Sequence, residues 1–209
     1  MKNKSYIGIS FIILIFGIYA IPKILDKFKK SDLEVLGPVP SFVLKDQNNK
    51  SISNANYAGK VYVVEFFFTT CPSICPIMNK NMVSLQNDFL GNPNFGIVSI
   101  SINPENDTSE VLKEHAQKLG ANSPNWHFLT GDKKYIYQIA NKGFNLYVGE
   151  NSKVNGGFEH SGLFALVDKK GNIRCRRDAQ GNPIGYYDGL EKKGVQAIKE
   201  DITKLLEEE

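Results

Sequence analysis

The stretch VYVVEFFFTTCPSICP, from Val61 to Pro76, decides how this chain folds. Its first eight residues, Val61 to Phe68, form an almost unbroken run of β-branched and aromatic side chains. A half-exposed strand alternates apolar with polar residues, whereas a run without alternation suits a strand covered on both faces. Cys71 and Cys75 follow, each with a proline directly after it. Proline is tolerated in the first turn of a helix and not in its interior. Met78, Met82, Leu85 and Phe89 then recur at helical spacing. A central buried strand therefore ends in a stiff turn that carries two cysteines into a helix.

Outward from this unit, Phe95 to Ile102 reads as a second strand. Thr108, Val111, Leu112, Ala116 and Leu119 read as a helix capped by Asp107 or Thr108 and closed by Gly120. Trp126 to Leu129 is a strand and Lys133 to Asn141 a short helix. Leu163 to Val167 and Asn172 to Arg176 are strands joined by the turn Asp168 to Gly171. Leu190 to Leu206 is a closing helix before the acidic Glu207 to Glu209. Upstream, Phe42 to Leu44 and Ser51-Ile52 flank the polar Asp46 to Lys50 turn as a short hairpin, after the stiff Gly37-Pro38-Val39-Pro40. Strands alternating with helices and ending in an antiparallel hairpin predict an α/β domain with a thioredoxin-like sheet.

The 209 residues are 42% hydrophobic and 22% charged, which is ordinary globular usage and excludes a disordered, collagenous or polytopic membrane protein. Lys+Arg 25 against Asp+Glu 22 leaves a net charge of +3, too balanced for a nucleic-acid partner to be expected. Three cysteines are too few for a disulfide scaffold. Ser5 to Ile21 carries no charge, and as a helix it would reach roughly 25 Å, the short end of a membrane span. A cleaved signal peptide is the rival, but the one plausible cut, after Ala20, has bulky Ile18 where a small residue is expected. The expected organisation is an anchor over 1–22, a charged tether over 23–35 and a folded domain over 36–209. Lys2 and Lys4 before the run and Lys23, Lys27, Lys29 and Lys30 after it leave orientation ambiguous by charge alone. Either reading places the domain outside the cytoplasm, where disulfides are permissible.

Cys71 and Cys75 stand at the carboxyl end of a strand in an α/β sheet, where ligand sites concentrate. Their spacing suggests one face of a helical turn, close enough for a disulfide or a shared metal. A helix N-terminus eases thiolate formation. Two thiolates suit a soft ion such as Cu(I) and fall two ligands short of closed tetrahedral zinc. Thioredoxin-type redox pairs have two intervening residues where this one has three, and a peroxidase frame would need threonine at Phe68. Spacing alone leaves metal binding, disulfide exchange and a structural pair open. Of the histidines, His115 falls in a charged helix and is expected to be solvated, and His127, between Trp126 and Phe128, to be a satisfied core or edge residue. His160 follows the glycine-bearing Asn155 to Phe158 stretch, whose flexibility would let it reach the cysteines. Cys175 reads as a buried free thiol.

Taken together, Cys71 to Pro76 after an aromatic strand, Ser99 to Thr108, Trp126 to Gly131, and His160-Ser161 before the strand Leu163 to Asp168 resemble the Sco/SenC family of copper-binding proteins, over residues from about 36 to 206. The resemblance implies a thioredoxin-like domain on a single N-terminal transmembrane helix, in the inner membrane with the domain facing the periplasm or cell exterior. It implies Cys71, Cys75 and His160 as ligands for copper as Cu(I), with Cu(II) left open. It implies maturation of the copper centre of cytochrome c oxidase, with that enzyme's copper-bearing subunit and a thiol reductant as partners. Asn103 and Glu159 stand where the family usually has aspartates. The expected function is thus a metallochaperone with no catalytic residues. The alternatives are a thiol-disulfide oxidoreductase using Cys71 and Cys75, and a redox or copper sensor.

Overall fold

The strand Val61–Phe67 is the axis of the domain, and every one of its side chains is buried. The structure is a computed structural model that describes residues 5–27 and 31–208, with only the backbone path for 5–8 and 22–27. Lys2, Lys4, Lys29 and Lys30 and Glu209 lie outside the described residues, as do the side chains of Lys23 and Lys27. The chain divides into two units, Met1–Asp32 with Glu207–Glu209, and Leu33–Leu206. In the first, the apolar run forms part of helix α1 (Ser5–Lys27), with Ile12, Phe16 and Tyr19 exposed. No helix among the described residues is long and apolar enough to cross a membrane. The expected spanning helix is therefore unconfirmed.

In the second unit the strands are β1 (Glu34–Pro38), β2 (Val43–Asp46), β3 (Ser51–Ser53), β4 (Val61–Phe67), β5 (Phe95–Ser101), β6 (Trp126–Thr130), β7 (Val148–Glu150), β8 (Phe158–His160), β9 (Leu163–Val167), β10 (Asn172–Cys175) and β11 (Tyr187–Asp188). The helices are α2 (Cys75–Asp88), α3 (Ser109–Leu119), α4 (Lys133–Gln138) and α5 (Lys192–Glu207). The main sheet runs β1-β10-β9-β4-β5-β6-β2-β3, with β11 added to β9. β4, β5 and β6 are parallel, while β9 and β2 join them antiparallel on either side. This is the mixed α/β sheet that the sequence pattern predicts. β7 and β8 form a separate hairpin, Val148 opposite His160.

The local chemistry agrees with these elements. Asp46 Oδ1 accepts from the N–H groups of Asn48 and Lys50 at 2.9 and 2.7 Å, which closes the β2–β3 turn. Thr108 caps α3 by accepting from Val111 N–H, and Gly120 ends it at φ 78°, a left-handed angle that glycine adopts without a Cβ clash. β1 starts at Glu34 and pairs with β10, because Leu33 and Val39 on either side of it are drawn into the core.

One face of the sheet carries α2, α3 and α5. Phe67 stacks there on His115 of α3, and Lys199 of α5 bonds Ser84 of α2 at 2.9 Å. On the other face Phe66 meets Phe144, the last residue of a π-turn (Ile139–Phe144) that extends α4.

Candidate metal centre

The chain leaves β4 at Phe67 and makes a tight turn in which Cys71 N–H bonds Phe68 O at 3.2 Å. The turn is clamped from behind. Asp107, fully buried, accepts from Thr69 N–H at 3.0 Å, Thr69 Oγ1 at 2.5 Å, Ser101 Oγ at 2.6 Å and Asn106 Nδ2 at 2.8 Å. Cys75 opens α2 and Pro76 follows in its first turn, where its missing N–H has no intrahelical role. Cys71 lies ahead of the helix, so the pair does not share a helical face, as the spacing suggested. The turn folds Cys71 back toward the helix N-terminus instead.

His160 arrives from the far end of the β7–β8 hairpin. Its ring lies edge-on to Phe68 at 5.8 Å, and Phe158 packs on the same Phe68. Gly156, at φ 93°, lets the hairpin loop lie close: a Cβ there would meet Pro72 at 2.9 Å and the Phe68 ring at 3.1 Å. His160 Nε2 is 3.1 Å from Cys75 Sγ and 4.0 Å from Cys71 Sγ. The three ligand atoms lie within 4.8 Å of one another. His160 Nδ1 lies 3.2 Å from Ser161 O, and a carbonyl only accepts, so Nδ1 carries the proton and Nε2 presents its lone pair to the sulfurs. The cysteines are unbridged and both buried.

The two sulfurs are unequal. Cys75 donates to Cys71 and, with backbone N–H groups, holds the Cys71 thiol far below its ordinary value, although burial pulls the other way. The negative Cys71 pushes the Cys75 thiol up, burial adds to this, and Glu65 adds further. The two shifts run in opposite directions, so Cys71 is the readier of the pair to lose its proton. Two soft sulfurs and one imidazole nitrogen, converging without a carboxylate, form a donor set for a soft monovalent or borderline ion.

The SCO1/SenC family model matches residues 34–193. The chain belongs to the SCO1/SenC family. Within that family it is similar to the SCO1 protein homolog of Bacillus subtilis (strain 168), 33% identical over 170 residues, 78% of this chain and 80% of that protein. A SCO1/SenC family lipoprotein from Bacillus anthracis str. Ames has a similar fold, with TM-score 0.73 at 27% identity over 85% of this chain and 99% of that one. Yeast Sco1, solved with copper bound, gives TM-score 0.58 at 26% identity over 81% of this chain and 90% of that one.

The structure brings together Cys71, Cys75 and His160, all three of the expected ligands. The other cysteine and the other histidines stand elsewhere. Cys175 is buried on β10 as a free thiol. His127 Nδ1 bonds Tyr57 Oη at 2.6 Å, the satisfied residue expected. His115 departs from its expected solvation. α3 lies on the sheet, so the ring stacks on Phe67, meets Phe128 edge-on and bonds Asn79 Nδ2 at 3.3 Å. Glu159 accepts from Asn151 Nδ2 at 2.6 Å and braces the hairpin, whereas the backbone carbonyl of Asn103 receives the N–H groups of Asn106 and Asp107. Two residues escaped the sequence pattern: the clamp Asp107, which read as a helix cap, and Glu65, a charge inside an apolar strand.

Proposed function

We propose that this chain binds one copper ion, as Cu(I), through Cys71, Cys75 and His160, and delivers it to the copper-bearing subunit of cytochrome c oxidase. The observation that carries the reading is the convergence of two sulfurs and one imidazole nitrogen within 4.8 Å. Membership of the SCO1/SenC family supports it, as does the copper in yeast Sco1. Cu(I) accepts few soft ligands and is well served by three, and it outcompetes harder ions for thiolates. Loading expels the Cys75 proton; the thiolate of Cys71 and the Nε2 lone pair of His160 are ready beforehand. Release needs only the reverse, so a docking contact near the Cys71 turn can be brief. In this proposal α1 anchors the protein in the inner membrane, with residues 36–209 on the outer side. There the pair oxidises readily, and a thiol reductant must return two electrons and two protons before copper can load.

The test is copper stoichiometry of the full chain in detergent, reduced and oxidised. The reduced protein should hold one copper and the oxidised protein none, since a Cys71–Cys75 bond removes both sulfur donors. Cys71→Ser or Cys75→Ser should abolish tight binding, and His160→Ala should weaken it while the disulfide still forms. If His160→Ala binds copper like the parent and fails only in reducing a partner disulfide, the oxidoreductase reading replaces this one. The unequal thiols favour that second reading, because disulfide exchange uses one ready nucleophile and one held in reserve.

A further inference from the structure

The hairpin that carries His160 stands apart from the main sheet: among the described residues β7 and β8 pair with each other and with no third strand. Side chains hold it to the domain. At its base, Asn141 of the π-turn donates to Val148 O at 2.9 Å and accepts from Val148 N–H at 3.0 Å. Toward its tip, Lys133 of α4 reaches three groups at once. Its ammonium bonds Glu150 of β7, lies 3.5 Å from Glu105 in the loop after β5, and stands 5.6 Å from the centre of the Phe158 ring of β8. Lys133 is also the first residue of its helix, the end where the backbone dipole disfavours a cation. The two carboxylates and the ring face make the position favourable.

Register turns this contact into leverage on the ligand. Glu150 lies opposite Phe158, and Val148 opposite His160. Residues two apart on a strand share a face, so Phe158 and His160 point the same way. Both pack on Phe68, with ring centres 5.2 and 5.8 Å away. Asn141 holds β7 by its backbone, and β8 can lift about that line. Lys133 opposes the lift because it grips both strands, Glu150 on β7 and Phe158 on β8.

We propose that Lys133 is a positioning residue for the copper site: it ties the β7–β8 hairpin to α4 and Glu105, and so keeps His160 Nε2 on the two sulfurs. The copper reading is needed only for the metal half of this. Without the tie, Cys71 and Cys75 stay in place on their clamped turn. The imidazole is then over them for a smaller fraction of the time, and a bound ion is left more often with sulfur donors alone.

The first test uses the reduced, metal-free full chain in detergent, isotope-labelled in its histidine rings for nuclear magnetic resonance. The chain has three histidines, and His115 and His127, packed elsewhere, serve as internal references. In Lys133→Leu the His160 resonances should shift toward those of a solvated imidazole, and their cross-peaks to Phe68 should weaken. Those of His115 and His127 should not move. Lys133→Arg keeps the charge and should restore the parent spectrum. A merely structural role would disturb all three rings.

The second test follows loss of Cu(I) to a chromophoric chelator. Exposed ion pairs and one cation–π contact are modest interactions, so release should quicken about fivefold in Lys133→Leu. In a His160→Ala background the same substitution should change the rate by less than about twofold, because a positioning residue acts only through the group it positions. Unmoved His160 resonances in Lys133→Leu, or equal acceleration with and without His160, overturn the proposal. If Lys133→Leu does not fold, Glu150→Gln must produce the same His160 shift, and its absence overturns the proposal. A parent that binds no Cu(I) refutes the function proposed above, and the imidazole spectrum of the metal-free protein alone then decides on Lys133.

Discussion

Replacing Asp107 by alanine should cost more stability than any single surface change, and the cost can be worked from its partners. Four donors converge on this buried carboxylate, from Thr69 N–H and Oγ1, Ser101 Oγ and Asn106 Nδ2. The Asn106 amide is exposed and can turn to water. Thr69 N–H and Ser101 Oγ are in or at the edge of the core and cannot. Each orphaned donor costs about 1–3 kcal/mol, with charge-assisted bonds at the upper end. Asp107→Ala should therefore lose about 3–5 kcal/mol. With a urea slope of about 1–3 kcal/mol per molar, the unfolding midpoint should fall by about 2 M. Asp107→Asn keeps one acceptor oxygen and should lose roughly half as much. The damage should also reach the site, because Thr69 is two residues before Cys71 and its loosening frees the turn. Urea titration of the reduced protein, paired with copper titration, measures both. A loss below about 1 kcal/mol for Asp107→Ala, or an unchanged copper affinity, would show that the turn is held by something other than this clamp.

Other outcomes follow from the same geometry. Glu65 is raised from 4.5 to about 7 in the folded state, so the folded protein binds the extra proton between those values and stability falls as pH rises through them. Above about 7 the loss should reach about 3 kcal/mol, and Glu65→Gln should flatten that part of the stability–pH curve; an equally steep curve in the variant refutes the assignment. Cys71 should alkylate at a rate nearly independent of pH around neutrality, and Cys75→Ala, which removes the largest cause of its lowered thiol, should make that rate rise with pH. The full-length chain should sediment with membranes, and a mature protein starting at Ile21 in the soluble fraction would refute the anchor.

What the sequence made legible follows from where each residue's chemistry is spent. β4 is readable because all seven of its side chains are buried, so packing alone fixes its composition. The β2–β3 turn and the Gly120 cap are readable because Asp46 and glycine meet local needs that depend on no distant partner. β1, β7, β8 and β11 are short strands at edges or in a hairpin of their own, where apolar and polar residues mix and no periodicity survives. His115 looks solvated among its charged neighbours because a helix shows its buried stripe only through residues three and four apart, and a single aromatic there is a weak signal. The ligand set is a middle case. Cys71 and Cys75 announce themselves locally, but what joins them to His160 is the hairpin and the Gly156 approach, 85 residues of separation that only the fold can close. Glu65 is the reverse. Its position was plain in the sequence, a lone carboxyl in VYVVEFFF, yet hydrophobic patterning averages such a residue away. A charge kept where burial penalises it most is a departure from the rule that makes the strand legible, and it falls on the strand that leads into the cysteine turn. Departures of this kind concentrate where stability has been exchanged for function, so a charge held in the strand that feeds the cysteine turn is a sign of use that the hydrophobic pattern by itself cannot give.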